Sequence, residues 1–285
     1  MKFLLITALG LCFAGCAPPP GTVAPSTAPD RLGDAGPHAA QVTIVLMENK
    51  DYSRVVGNPQ APYFNGTFIP QGVLLRNSHA IGHPSEPNYL ALFSGSTQGI
   101  HGDPCPRYFK AANIASELIA AGKTFAGYAE SMPRDGYQGC YKGVYDRNHN
   151  PWVEFRNVPS ADNLVYRGFP SKVASFVWIT PNLCHDMHNC PVKDGDQWLS
   201  NNLPPIIAWD KKHDGLLIVT WDEAAPDNGG RNHVATVLVG PMIRAGGDDT
   251  QRVDHYAVLR TIEKILGVAC IANDCHAPLI TGIWN

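Results

Sequence analysis

Apolar, β-branched runs alternate along the chain with segments of helical period. Gln41–Met47 reads as a buried strand, and Gly72–Ser78, Lys123–Ala129, Val173–Thr180, Gly215–Trp221 and Ala235–Val239 read the same way. Between them, Pro87–Phe93 predicts a short helix with proline in its first turn. Asn113–Ala121 predicts an amphipathic helix capped by Asn113 and stopped by Gly122. Trp198–Trp209 predicts helical turns broken at Pro204-Pro205. Tyr256–Leu266 is the clearest helix, with Val258, Leu259, Ile262, Ile265 and Leu266 on one face. Near-continuous apolar strands separated by helices predict an α/β fold, with helices layered on a mostly parallel central sheet. In such sheets ligands bind outside the carboxyl ends of the strands, so the polar residues that follow each strand are the ones to examine.

The amino terminus follows a different pattern. Lys2 precedes an apolar run, Phe3–Phe13, that is too short to span a bilayer. It ends in Phe13-Ala14-Gly15-Cys16, which predicts a lipoprotein signal over residues 1–16 with the lipid on Cys16; an ordinary secretory signal with a chance cysteine is the alternative. Residues 17–40, rich in Pro, Ala, Gly and Thr, read as a flexible tether, and residues 41–285 as one large domain. The expected location is the bacterial cell envelope, outer membrane or periplasm, with the membrane reached through the lipid. Of eight cysteines, Cys12 and Cys16 belong to the signal. The remaining six, in an exported chain, predict disulfides, and the local pairing is preferred: Cys105–Cys140, Cys184–Cys190 and Cys270–Cys275. A zinc site is the rival reading, since His185 and His188 lie between two of these cysteines. The net charge of −3, without a basic tract, argues against nucleic-acid binding.

Four polar clusters follow predicted strands. Glu48-Asn49 follows the first and offers oxygen to a hard cation, or is merely a solvated turn. His79 and the run His83-Pro84-Ser85-Glu86-Pro87-Asn88-Tyr89 follow the second. Ser85 at a helix start reads equally as an N-cap or as a nucleophile in the field of unpaired N–H groups. His185-Asp186-Met187-His188 follows the strand ending at Thr180, with imidazoles suited to a metal or to phosphate oxygens. Asp222-Glu223 follows Gly215–Trp221, and adjacent carboxylates beyond an apolar strand are costly unless a cation or donor receives them, or are merely a polar strand exit. A loop, Asp227-Asn228-Gly229-Gly230, and His233 come next. Together these groups suit hydrolysis of a phosphate ester. The absence of G-x-S-x-G around Ser85 argues against a serine esterase, and the absence of a P-loop lysine pattern against a nucleotidase of that kind.

In these stretches the chain resembles the bacterial acid phosphatase and phospholipase C phosphoesterases of the alkaline phosphatase-like superfamily. The resemblance rests on Val45-Leu46-Met47-Glu48-Asn49-Lys50, His83–Tyr89, Pro181–Asp186, Trp221-Asp222-Glu223 and His255–Glu263, in that order. It implies an alkaline phosphatase-like three-layer sandwich. It implies one divalent metal surrounded by Glu48, Asn49, Ser85, Asp222 and Glu223, with Ca²⁺, Mg²⁺ or Mn²⁺ suited to oxygen ligands and Zn²⁺ admitted by imidazoles. It implies a phosphoseryl intermediate on Ser85, with Asn49, His79, His185 and His188 contacting phosphate and His185 and His188 sharing in catalysis. Asp186, His233 and His255 are further candidates, His255 alternatively as a helix cap. The chain is short beside the phospholipase-like members, which favours small phosphate monoesters over phospholipids, and Glu223 stands where some relatives have Asp. A phospholipase C-type phosphodiesterase and a non-catalytic surface lipoprotein remain as alternatives. A sulfatase is disfavoured because Tyr89 replaces the arginine of the C/S-x-P-x-R context.

Overall fold

The computed structural model describes residues 38–225 and 231–285. The signal, the tether, Cys12, Cys16 and the Asp227–Gly230 loop lie outside them. The elements follow the apolar runs: β1 (Gln41–Met47), a short helix α1 (Tyr52–Val55), β2 (Val73–His79), α2 (Ser85–Ser94), α3 (Ile114–Ala120), β3 (Phe125–Ala129), the hairpin β4 (Tyr141–Lys142) and β5 (Tyr145–Asp146), β6 (Asn163–Val165), β7 (Phe176–Thr180), α4 (Val192–His213), β8 (Gly215–Trp221), β9 (His233–Val239), β10 (Gly247–Asp249), β11 (Val253–Asp254) and α5 (His255–Leu266).

A single nine-stranded sheet runs in the order β10-β2-β9-β8-β1-β7-β3-β6, with β11 also pairing β2. Its pairings are parallel except those of β9, which runs against β2 and β8. The carboxyl ends of β1, β2, β3, β7 and β8 therefore lie along one edge. Every residue of β1, β7 and β8 is buried, as expected of strands covered on both faces. One core joins Ile44, Leu46 and Trp178 to α2, α3 and α5. The other joins Val45, Met47, Val177 and Ile179 to the apolar face of α4. The architecture is the expected three-layer α/β sandwich.

The helix ends show the local chemistry. Asn113 caps α3 by accepting from the Ser116 amide, in a reciprocal capping box. Gly95 ends α2 at φ +64°, and a Cβ there would lie 2.1 Å from the Ile271 carbonyl, so only glycine fits.

One expectation is corrected. Pro204 and Pro205 do not break the helix, and α4 runs unbroken for 22 residues. Both prolines sit on its exposed side, while Leu199, Leu203, Ile206 and Ile207 continue one buried stripe past them. Packing of that stripe on the sheet outweighs the lost N–H groups, and the freed carbonyls belong to Ser200 and Asn201, which are not buried. The strand expected from Val173 begins only at Phe176.

On α5, Glu263 is fully buried and both its oxygens lack a hydrogen-bond donor. Burial, and then the Asp274 carboxyl beside it, push Glu263 up to about 11. A carboxyl raised on folding contributes stability that is complete below its ordinary pKa and is lost as pH rises. Glu263→Gln is expected to flatten the decline in unfolding free energy between pH 5 and 8, by at most about 1.4 kcal/mol per pH unit. Urea unfolding at stepped pH measures this.

Candidate active site

Three strand ends meet around one hydroxyl. Where β1 stops, Glu48 N donates to the Asp186 carbonyl at 2.8 Å and Asn49 N donates to Asp222 Oδ1 at 3.0 Å. Asn49 takes φ +49°, a left-handed conformation that asparagine tolerates better than most residues. Asp222 N donates to the Met47 carbonyl, which fixes the end of β8 against β1. Ser85 opens α2. Its Oγ donates to Glu48 Oε2 at 3.1 Å and lies 3.4 Å from Glu223 Oε1. The Asn49 amide donates to Glu48 Oε2 at 2.7 Å and reaches Ser85 Oγ at 3.4 Å. Pro84, not Ser85, occupies the N-cap position, and no side chain caps the helix. The hydroxyl thus faces carboxylates instead of the helix backbone. Asn88 fixes the loop before Ser85, accepting from the Ile81 and Gly82 amides and donating to the Gly82 and Pro84 carbonyls.

Around this centre lie residues that sequence reasoning missed. His149 is buried, with Nε2 3.3 Å from Glu48 Oε1 and Nδ1 3.5 Å from Asp186 Oδ2. Burial alone would lower its pKa, but the facing carboxylates of Glu48 and Asp186 outweigh that and hold it at about 10. Its ring stacks on Tyr89 at 5.1 Å, and the Tyr89 hydroxyl donates to Glu48 Oε1 at 2.6 Å. His83 Nδ1 bonds Glu223 Oε2. Burial pushes the acidic groups up, Asp222 to about 7 against its hydrogen bonds and His149; the charge of Asp222 adds to burial in raising Glu48 well above the usual range and Glu223 to about 9. The only sign of His149 in the sequence is its place in the polar run Asn148-His149-Asn150-Pro151.

The other expected residues divide. Asp186 joins the centre through His149 and the Glu48 amide. His188 is exposed, with its ring 5.9 Å from that of His149 and Nδ1 bonded to Asn189 Oδ1. His185 Nδ1 bonds the Glu130 carboxylate, at the end of β3, at 2.9 Å and 3.0 Å. His79 and His233 pair across β2 and β9. His79 uses its two ring nitrogens on the Arg231 carbonyl and Asn77 Oδ1, while His233 Nε2 bonds the Arg76 carbonyl and its ring stacks on Tyr52. Neither shows a contact with the carboxylates around Ser85 among the described residues. His255 is not a cap: Asp254 caps α5 through the Ala257 amide, and His255 Nε2 donates to the Asp222 carbonyl. The six cysteines form the three expected disulfides. Bonding of Cys184 to Cys190 removes the thiolates that a zinc site between them needs.

Comparison with known proteins agrees with this geometry. Residues 59–269 match the model of the Phosphoesterase family. The chain belongs to that family. It is 39% identical over 255 residues to a phosphatidylinositol-3-phosphatase of Mycobacterium tuberculosis, covering 87% of this chain and 84% of the relative. It is 30% identical over 245 residues to a probable acid phosphatase of Kluyveromyces lactis, covering 77% of this chain and 56% of that one. The chain thus spans little more than half of the yeast relative. Among solved structures, the lipoteichoic acid synthase LtaP of Listeria monocytogenes aligns with a TM-score of 0.57 at 10% identity, over 88% of this chain and 79% of that one. A protein of the alkaline phosphatase superfamily from Vibrio parahaemolyticus aligns at 0.56 and 15%, over 85% and 71%. The fold is that of the alkaline phosphatase superfamily, and the enzyme is a hydrolase acting on phosphoric ester bonds.

His149→Ala leaves Glu48 without its cationic neighbour. The variant is expected to hydrolyse p-nitrophenyl phosphate about 10–100-fold more slowly, with near-UV circular dichroism confirming that the fold is kept.

Proposed function

We propose that this phosphoesterase is a metal-dependent phosphatase that cleaves phosphate monoesters through a phosphoserine on Ser85. The observation that carries the reading is the Ser85 hydroxyl lying between the carboxylates of Glu48 and Glu223 at buried strand ends. The donor types suit a hard divalent cation, although Glu48, Asp222 and Glu223 do not each bring an oxygen within 4.8 Å of the others. Among the described residues Asp222 Oδ2 is buried without a partner, and turning the Asn49 amide over would set its oxygen beside Glu48 Oε2 and Ser85 Oγ. Glu48, Asn49, Ser85, Asp222 and Glu223 would hold the ion, and an all-oxygen set favours Mg²⁺, Ca²⁺ or Mn²⁺ over Zn²⁺. When bound, such an ion would neutralise the carboxylates, polarise a phosphoryl oxygen and favour the ionised serine.

The chain's own groups supply the remaining steps. Ser85 passes its proton to a facing carboxylate oxygen. Oγ bonds to phosphorus as the ester P–O bond breaks, and the departing oxygen takes the proton that the carboxylate received from Ser85. Water then attacks the phosphoserine, the P–Oγ bond breaks, Ser85 regains a proton and inorganic phosphate leaves. Asn49, His185 and His188 are assigned to the phosphate and the leaving group, and Glu130 holds the ring of His185. The names of the mycobacterial and yeast relatives support a monoester substrate, with a phosphoinositide headgroup among the candidates. Export and lipidation at Cys16 complete the proposal and place the enzyme in the cell envelope. Mass spectrometry of the mature amino-terminal peptide tests that part.

Chelation is expected to abolish p-nitrophenyl phosphate hydrolysis, and a divalent ion to restore it. Ser85→Ala is expected to lower kcat by at least about 10³-fold, and quenching of the parent enzyme during turnover should yield phosphoserine at position 85. Full activity in Ser85→Ala would refute the nucleophile. Turnover of phosphodiesters in place of monoesters would point to the phospholipase C-type reading.

A further inference from the structure

Three of the four large apolar residues left exposed among the described residues lie on two neighbouring segments: Tyr108 at 45%, Tyr141 at 57% and Val144 at 40%. The first belongs to residues 104–111 and the others to residues 139–145, which include most of the β4–β5 hairpin. The Cys105–Cys140 disulfide joins the two segments. Buried Arg147 ties them from beneath, donating to the carbonyls of Gln138 and Arg107. These fifteen residues hold Arg107, Lys110 and Lys142 and no Asp or Glu, a charge of +3 in a chain whose net charge is −3. All three cations are exposed, and the exposed Arg156 guanidinium lies 4.4 Å above the Tyr108 ring. A 340 Å³ cavity lies beside them, lined by Tyr108, Gln138, Trp152, Arg156 and Asn163 among others.

We propose that this disulfide-joined platform docks on an anionic lipid bilayer. Exposed tyrosine and valine beside exposed cations match the headgroup region, where aromatic rings and basic side chains partition together. Charge decides between occupants: a zwitterionic or purely apolar surface would not require exposed Arg107, Lys110, Lys142 and Arg156 to outnumber the flanking carboxylates of Asp103 and Asp146. The platform also reaches the active site. The Leu183 amide donates to the Val144 carbonyl at 2.9 Å, linking the hairpin to the His185 loop. The Glu86 amide donates to Asp103 Oδ1 at 2.9 Å, and Asn148 donates to the Asp103 carbonyl and to the Tyr141 hydroxyl. Docking there would bring the Ser85 centre to substrates in the bilayer. The surface stands apart from the reading of the chemistry, because lipid binding is measured without turnover.

The test compares full-length chains carrying Cys16→Ser, so that no lipid anchor contributes, with and without Lys142→Glu and Val144→Asp. Partition onto sedimented phosphatidylcholine vesicles is measured with and without phosphatidylserine, at low and high salt. The parent is expected to bind better as phosphatidylserine is added and worse as salt rises. The double variant should lose roughly tenfold in partition, and a similar factor in the rate on vesicle-borne phosphoinositide, with p-nitrophenyl phosphate hydrolysis unchanged. Parent binding that ignores phosphatidylserine, or that survives the double substitution, would overturn the proposal and leave the platform to a protein partner. Loss of p-nitrophenyl phosphate turnover in every form would count against the chemistry alone.

Discussion

Glu48, Asp222 and Glu223 are brought to one hydroxyl at the covered edge of a sheet, and one buried imidazole, His149, faces Glu48. Removing a carboxylate from water costs several kcal/mol unless charge and hydrogen bonds replace the solvent. The surroundings supply some of that replacement. Tyr89 donates to Glu48, Asn49 N to Asp222, and His83 bonds Glu223. Asp222 Oδ2 still has no donor. A cation among these oxygens would complete the balance, and the proposed catalysis depends on one. The raised carboxyl pKa values are the same imbalance expressed as proton affinity.

The sheet produces this concentration of charge. β1 and β8 pair in register from Gln41 with Gly215 to Met47 with Trp221, so the next residues of both strands emerge side by side. β2 delivers the Ser85 loop to the same edge, and the β7 loop returns Asp186 to the Glu48 amide. Burial of these strands on both faces fixes the edge from which Glu48, Asp222 and the proposed nucleophile Ser85 project, the rigid support that a reacting group requires. The irregular stretch between β3 and β7 is held differently. There the buried Arg147–Glu154 ion pair, with nitrogen and oxygen 2.6 Å apart, and the Cys105–Cys140 disulfide replace regular secondary structure. That stretch carries both His149 and the hairpin, so one scaffold supports the carboxylate cluster around Ser85 and the basic outer surface.

Much of this was legible in the sequence. Strands buried on both faces leave long β-branched runs, and β1 and β8 have the bounds that those runs predict. Glu48, Asn49, Asp222 and Glu223 were found because they follow such strands directly, and Ser85 because Pro87 marks a helix start. What the sequence hid had no period to reveal it. His149 sits in a 3-10 turn about 100 residues from the Glu48 carboxylate it faces and about 40 from Asp186. Glu130 resembles any polar strand exit until His185 is seen against it. The Pro204-Pro205 pair misled because local propensity forbids a helix that sheet packing then maintains. His79 and His233 misled because proximity in sequence to Ser85 and Asp222 is not proximity to their side chains.

The central claim is that the buried carboxylates hold a divalent cation, and thermal unfolding of the chelated protein against increasing Mg²⁺, Ca²⁺ or Mn²⁺ tests it most directly, without reference to turnover. A ligand that binds only the folded state stabilises it by about 2.7 kcal/mol at a hundred times its Kd. The unfolding midpoint is expected to rise with at least one of these ions, and Asp222→Asn to abolish most of the rise. A midpoint indifferent to all three ions, or an equal rise in Asp222→Asn, would contradict it.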